Sequence, residues 1–475
     1  MIDFYFLGIG GTAMASVAVA LSKCGYKISG VDANVYPPMS HFLAQHGIEY
    51  FNGYQAQHLE TLTPERVVVG NAISRGNAEL EVALNRRLKL VSMPEIVREY
   101  LIQRHTSIVV SGTHGKTTTT SLLAWLLESC EASPGFLIGG IPENFGEGCR
   151  TSGREEGGYF VLEGDEYDTA FFDKRSKFLH YRPDIAIVNN LEFDHADIFN
   201  SIAEIERSFK RFLNLVPQNG LVLLNADDAR VIHLAEKCLA SVQTFGFGER
   251  ADWQAREIQY GTTETNFSLF KNGDFVARFC SPLLGEHNVR NVLATLSACL
   301  YLGFQPAMLQ RGLSSFKNVK RRLEVVAEMN GITLIDDFAH HPTAIRETLK
   351  ATRQKYPNRR IVACFEPRSN TTTRNIFQKE LVDCFELADV VVLGKIDRPE
   401  RYAPNERLNT QQIICELESR GKVGYASPVP APKNYPLDIV NFLSSRLHRG
   451  DVILAMSNGD FGGLKSHFLE TLKNS

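Results

Sequence analysis

An apolar run, Ser107-Ile108-Val109-Val110, leads directly into Ser111-Gly112-Thr113-His114-Gly115-Lys116-Thr117-Thr118 and then into a helix-like stretch through Glu128. A turn of this kind between strand and helix presents backbone N–H groups at a helix N-terminus, which is a site for phosphate. The ammonium of Lys116 can reach terminal phosphates, and the Thr117 hydroxyl can bind Mg²⁺. The usual pattern has a glycine five places before Gly115; here Val110 stands there, so the loop is a variant. Glu163-Gly164-Asp165-Glu166, with Asp168 close by, follows the apolar run Tyr159 to Leu162, where a carboxylate beside a phosphate loop can hold Mg²⁺. Asn190-Leu191-Glu192-Phe193-Asp194-His195-Ala196-Asp197 follows Ile185 to Val188, and a neutral imidazole among carboxylates can help to bind a second divalent ion. Each acidic loop also has a plainer reading as solvated surface.

Three further groups have the residue types for nucleotide chemistry. Gly8-Ile9-Gly10-Gly11-Thr12-Ala13-Met14 follows the strand-like Asp3 to Leu7, and a second strand, Lys27 to Val31, ends in Asp32. Ala13 replaces the third glycine of the dinucleotide fingerprint, a tolerated variant, so this opening is open to a nicotinamide dehydrogenase or to a structural turn. Gly285-Glu286-His287-Asn288-Val289-Arg290-Asn291 begins an alanine-containing helix on which Asn288 and Asn291 share a face and can pair with a purine edge, or simply cap the helix. Arg321-Arg322 and Asp336-Asp337-Phe338-Ala339-His340-His341-Pro342 offer arginine for phosphate and aspartate for a ribose diol.

These groups must be carried by strand ends, and the strands fall into three sets. Asp3 to Leu7, Lys27 to Val31, Arg66 to Val69 and Leu88 to Val91 form the first; Ser107 to Val110, Tyr159 to Leu162, Ile185 to Val188 and Leu221 to Leu224 the second; Ile332 to Ile335, Ile361 to Phe365, Val390 to Leu393 and Val452 to Ala455 the third. The fold class is therefore α/β in three consecutive domains, 1–105, 106–318 and 319–475, the first and third Rossmann-like and the central one a P-loop unit. A chain of 475 residues has room for them. The nine cysteines include no C-x-x-C pair and read as reduced thiols. With 51 basic against 54 acidic side chains there is no global field for nucleic acid or anionic lipid. No run of about 18 apolar residues and no basic leader are present, so neither membrane insertion nor export is expected and the location expected is cytoplasmic.

Taken in order, these segments resemble the Mur ligase family over essentially the whole chain: G-T-H-G-K-T-T from Gly112, a strand ending in Glu163, D-H-x-D at Asp194 to Asp197, H-N-x-x-N at His287 to Asn291, R-x-E at Arg322 to Glu324, and D-D-x-x-H-H-P from Asp336. The resemblance implies an ATP- and Mg²⁺-dependent ligase that forms an amide bond through an acyl phosphate. It implies that Gly112, Thr113, His114, Gly115, Lys116, Thr117 and Thr118 bind ATP, with Asn288 and Asn291 near the adenine and Arg322 and Asp337 reaching in from the third domain. Lys116, Glu163 and His195 would be catalytic, and Thr117, Glu163 and His195 would hold Mg²⁺. Gly8, Gly10, Gly11, Thr12, Met14, Asp32 and Asn71 would hold a UDP-sugar.

Four longer stretches are similar to the branch of the family that joins the tripeptide L-alanyl-γ-D-glutamyl-meso-diaminopimelate to UDP-N-acetylmuramate, rather than to the branch that adds L-alanine. They are Asp32 to Met39, Phe171 to Phe178, Glu366 to Thr371 and Met456 to Gly463. Lys174, Arg175 and Lys177, or Arg368, are the cations available for peptide carboxylates. Where several family members carry a carbamylated lysine, this chain has Phe209, with Lys210 next to it. No obligate protein partner is implied. An NAD(P)-dependent oxidoreductase and a non-catalytic UDP-sugar-binding regulator are the alternatives from other classes.

Overall fold

The runs Ile108-Val109-Val110, Ile185–Val188 and Leu221–Asn225 are buried throughout, as strands must be when helices cover both faces of a parallel sheet. The computed structural model describes residues 2–35 and 39–474, so Tyr36, Pro37 and Pro38 of the Asp32 to Met39 stretch lie outside the described residues. The chain forms three α/β units, each with its own sheet. The first sheet is all-parallel, in the order Tyr50–Asn52, Ile28–Asp32, Phe4–Leu7, Arg66–Val69, Leu90–Ser92. The third has six strands, in which Ile332–Asp337 lies between the antiparallel edge strand Glu324–Met329 and the parallel Val452–Met456, followed by Ile361–Phe365, Val390–Leu393 and Val423–Ala426.

The central sheet has ten strands. Thr106–Ser111 lies between Ile185–Val188 and Tyr159–Gly164, both parallel to it, so three strand ends carrying acidic or glycine-rich loops open at one edge. Helix Lys116–Ser129 and helix Glu286–Tyr301 pack on each other over one face of this sheet. Beyond Ser241–Gly246 the sheet continues into Trp253–Tyr260, Thr265–Lys271 and Asp274–Ser281, a meander absent from the strands expected above. Trp253–Tyr260 and Asp274–Ser281 are half exposed, and all three strands carry charged or polar residues inside them, so they lack the continuous apolar run that marks the others. Several strand ends move by a residue or two, and the largest shift of a start is at Leu88: the strand expected from there begins at Leu90. The Leu88 N–H is used up capping helix Ala78–Asn85 at the Ala83 carbonyl, with Arg87 in the left-handed region at φ 53°.

The third unit sits against the central one along a polar seam. Thr371 Oγ1 donates to Asp194 Oδ1 (2.7 Å), Thr343 Oγ1 donates to Glu192 Oε1 (2.9 Å), and Gln354 accepts from Gly285 N (3.0 Å) while donating to the Gly261 carbonyl (2.7 Å). The connecting segment contains three non-glycine residues in the left-handed region, Asn318 (φ 67°), Arg321 (φ 62°) and Leu323 (φ 51°). Among the described residues no helix is long and apolar enough to cross a membrane.

Candidate active site

The phosphate loop turns two residues later than the usual pattern. Val110 remains a buried strand residue, and the chain reverses at Gly112 (φ 131°) and Gly115 (φ 80°), conformations that glycine alone adopts without strain. Both turns are also crowded. A Cβ on Gly112 would lie 3.0 Å from the backbone N and O of Asn190, and one on Gly115 would lie 2.4 Å from Asn291 Oδ1. Gly115→Ala is therefore expected to cost about 1–2 kcal/mol in backbone conformation alone, and to raise the KM for ATP by displacing the loop from Asn291. Thermal unfolding together with ATP titration checks both effects.

Lys116 opens the helix and turns its side chain back across the loop, where Nζ donates to the Gly112 carbonyl (2.6 Å) and to Glu166 Oε2 (2.8 Å). Burial by itself would favour the uncharged amine, but Glu166, Asp165 and Glu163 outweigh it and hold the ammonium above its usual range. Thr117 Oγ1 donates to Glu163 Oε1 (3.0 Å), and Gly139 N donates to Glu163 Oε2 (2.9 Å). Glu163 is itself a strand residue, paired in register with Val110, so its carboxylate projects from a fixed edge. Arg322 reaches in from the third unit and donates to Thr117 Oγ1 at 3.2 Å.

His195 lies on the other side of Glu166, its Nε2 3.2 Å from Glu166 Oε1, with φ 54°, a strained geometry for a non-glycine residue. Burial lowers an imidazole's pKa, yet Glu166, Asp194 and Asp165 more than reverse this and raise it to about 9. Asp165, Glu166 and His195 each present a ligand atom within 4.8 Å of the others. With the Thr117 hydroxyl and Glu163 alongside, this oxygen-rich set suits a hard divalent cation such as Mg²⁺.

The remaining expected residues divide into two groups. Asn288 and Asn291 are buried and joined by an Nδ2 to Oδ1 bond of 3.1 Å, Asn291 standing at Gly115. Thr113 accepts from Glu192 N (2.9 Å), and His114 N donates to Asn190 Oδ1 (2.7 Å), while Thr118 is buried in the helix behind them. Asp337 is committed to its own unit: its carboxylate accepts from Leu323 N (2.8 Å), Ala339 N (2.8 Å) and Thr348 Oγ1 (3.2 Å), fastening the connecting segment to a strand end. Gly8, Gly10, Gly11, Thr12, Met14, Asp32 and Asn71 gather separately at the carboxyl edge of the first sheet. There Asp32 accepts from Gly10 N (2.9 Å) and Ala33 N (2.7 Å), a Cβ on Gly10 would meet Asp32 Oδ2 at 2.9 Å, and Thr12 and Asn71 are exposed.

Of the cations available for peptide carboxylates, three are already paired: Lys174 with Asp168 (2.6 Å), Arg175 with Asp173 (2.8 Å) and Lys177 with Asp165 (2.6 Å). Arg368 has no ion-pair partner among the described residues and lies against Gly459, where a Cβ would come within 2.5 Å of its guanidinium carbon. Phe209 is buried against Phe178, their ring centroids 5.2 Å apart, and Lys210 lies on the exposed side of the same helix.

Sequence reasoning did not single out Gly139 or Asn189, nor the contact that brings His114, Glu192 and His341, each in a motif quoted above, into one trio. His114 Nε2 lies 2.7 Å from Glu192 Oε2, and His341 Nδ1 lies 3.4 Å from the same oxygen. The doublet Asn189-Asn190 after an apolar strand was the available signal for Asn189, whereas Gly139 had none. Burial lowers the His341 pKa to about 4 and the neighbouring His114 adds to this, so the imidazole stays neutral in the fold while an unfolded chain would protonate it near 6.5. The stability it contributes is present above pH 6.5 and is lost as pH falls toward 4. His341→Gln is expected to flatten the fall in Tm between pH 6.5 and 4.5, measured side by side with the unsubstituted protein.

The chain matches three family models in order: the Mur ligase family catalytic domain over 3–105, the Mur ligase middle domain over 110–299 and the Mur ligase glutamate ligase domain over 321–459. It is 40% identical, over 100% of both chains, to the UDP-N-acetylmuramate--L-alanyl-gamma-D-glutamyl-meso-2,6-diaminoheptandioate ligase of Haemophilus influenzae. It is 31% identical, over 98% of this chain and 97% of the other, to the UDP-N-acetylmuramate--L-alanine ligase of Clostridium acetobutylicum. The crystal structure of a murein peptide ligase from Psychrobacter arcticus superposes with a TM-score of 0.75 at 34% identity, covering 100% of this chain and 99% of that one. With its three α/β units and the phosphate loop, acidic strand end and interdomain arginine meeting at one edge, the chain belongs to the Mur ligase family.

Proposed function

We propose that the protein joins the tripeptide L-alanyl-γ-D-glutamyl-meso-diaminopimelate to the lactyl carboxylate of UDP-N-acetylmuramate at the expense of ATP, as a cytoplasmic step of peptidoglycan recycling. The observation that carries the chemistry is the meeting of Lys116, Thr117, Glu163, Glu166, His195 and Arg322 at one strand edge. The choice of tripeptide over L-alanine rests on full-length identity of 40% against 31%. Residues 1–105 would hold the UDP-sugar, 106–318 ATP, and 319–475 the peptide while closing over the nucleotide.

A carboxylate is a poor acyl donor because its leaving group would be an oxide, so it must first be phosphorylated. Lys116, charged and fixed at the loop, is placed to stabilise the γ-phosphoryl of ATP as the lactyl oxygen takes it. Thr117, Glu163 and His195 would hold Mg²⁺, which supplies charge neutralisation between the anionic substrates. The Arg322 guanidinium brings further positive charge to the loop only while the third unit is seated. The alanine amine of the peptide then attacks the acyl phosphate carbon, and the tetrahedral intermediate collapses with loss of phosphate; no covalent bond to the enzyme is needed. A nicotinamide reaction or a purely regulatory role would leave this charged cluster without a task.

Phosphate release from ATP with Mg²⁺ and UDP-N-acetylmuramate, with either the tripeptide or L-alanine as amine, tests the reading. Release with the tripeptide and not with L-alanine is expected. Release with L-alanine alone would assign the alanine-adding reaction, and silence with both would remove the ligase reading.

A further inference from the structure

Between the central and third units lies a cavity of about 500 Å³ that none of the assignments above uses. Its walls carry Arg230, on the short helix Ala229–His233; Arg346, on helix Pro342–Lys355; and Glu380, on helix Gln378–Cys384. None of these three side chains has a hydrogen-bonded or ion-paired partner among the described residues. Phe193 and Phe377 give the cavity apolar walls and Asn200 a further polar group. Glu192 also lines it, but that carboxylate is already taken by His114 and Thr343. The size falls within the range of small-ligand sites, and such sites favour domain interfaces.

We infer that this cavity is the subsite for the third residue of the peptide, with Arg230 and Arg346 receiving its two carboxylates and Glu380 its free ammonium. The inference rests on the function proposed above. Once one amine of diaminopimelate is bound in the peptide, that residue keeps two carboxylates and one ammonium, which matches the two guanidinium groups and one carboxylate left unpaired in the cavity. The place is also suitable. Phe193 in its wall is two residues from His195, which contacts Glu166, whereas Arg346 and Glu380 belong to the opposite unit. A peptide whose amine is at the reacting carbon extends about 10 Å over three residues, so its far end has to leave the phosphate cluster. A planar guanidinium recognises a carboxylate through two parallel hydrogen bonds, a geometry that lysine cannot reproduce.

The test uses the full-length enzyme and steady-state phosphate release with three amines: the tripeptide, the same peptide ending in L-lysine, which lacks the distal carboxylate, and the dipeptide L-alanyl-γ-D-glutamate. Arg346→Gln and Arg230→Gln are each expected to raise the KM for the tripeptide by about ten-fold or more, with the KM for UDP-N-acetylmuramate held. One of the two should lose most of its penalty with the lysine peptide, and both should lose it with the dipeptide. Glu380→Gln should weaken the tripeptide in the same way. Unchanged KM values, an equal penalty on dipeptide and tripeptide, or an unsubstituted enzyme that does not distinguish the two peptides would each overturn the subsite while leaving the ligase reading standing. An unsubstituted enzyme silent with every amine would overturn the ligase reading itself, and the subsite with it.

Discussion

Lys116→Met is expected to lower kcat for phosphate release by about 10³-fold, ~4 kcal/mol in the barrier. Methionine keeps most of the apolar stem of the side chain and removes the ammonium, with its charge and its hydrogen bonds to Gly112 and Glu166. Nothing else in the loop can replace that charge, because Arg322 reaches Thr117 rather than the loop carbonyls that Lys116 spans. Among the described residues the same substitution leaves Glu166 with His195 as its one remaining ion-pair partner, so a modest loss of Tm should accompany the kinetic effect. The KM for the UDP-sugar should hold, since the residues proposed for it gather at the first sheet and not at this loop. A kcat within ten-fold of the unsubstituted enzyme would show that Lys116 is not the group that stabilises the transferring phosphoryl.

The second large effect is expected at Glu163. Its carboxylate accepts from Thr117 and from the Gly139 N–H, so Glu163→Ala removes one proposed Mg²⁺ ligand and releases the hydroxyl that would be another. A fall in kcat of about 10²–10³ is expected, together with a higher Mg²⁺ requirement. Because activity alone cannot separate lost metal from lost geometry, Mn²⁺ binding in the presence of an ATP analogue should be followed by water-proton relaxation without peptide. Weakened Mn²⁺ binding by the variant is the expected result; binding equal to that of the unsubstituted protein would move the metal elsewhere.

Much of the frame can be read from residue type alone, for a physical reason. Strands such as Ile185–Val188, Ile361–Phe365 and Val390–Leu393 are buried on both faces, so every position selects an apolar side chain and the run marks its own ends. The meander from Trp253 to Ser281 escapes because an edge with one wet face admits Arg256, Glu257 and Arg278 within its strands. At the site, motif residues carry charges or hydroxyls that chemistry requires and can be picked out one by one. Their partners cannot. Gly139 matters for its N–H, and Asn189 because its amide bonds Thr119 and lies 3.4 Å from Asn291, relations that exist only after the sheet has assembled. The same limit applies to charge: Lys174, Arg175 and Lys177 read as available cations until folding brings Asp168, Asp173 and Asp165 within 2.8 Å of them.

The segment joining the second and third units stores backbone strain. Asn318, Arg321 and Leu323 are held out of the favoured helical and extended basins, at a cost of order 1 kcal/mol for each. The bonds of Leu323 N to Asp337 and of the Arg321 guanidinium to the Ser457 and Gly459 carbonyls act as the catch that holds them there. Arg322, which reaches Thr117 from the third unit, lies between two of these strained residues, so the seating of its guanidinium at the phosphate loop depends on one short stretch of backbone being held in place.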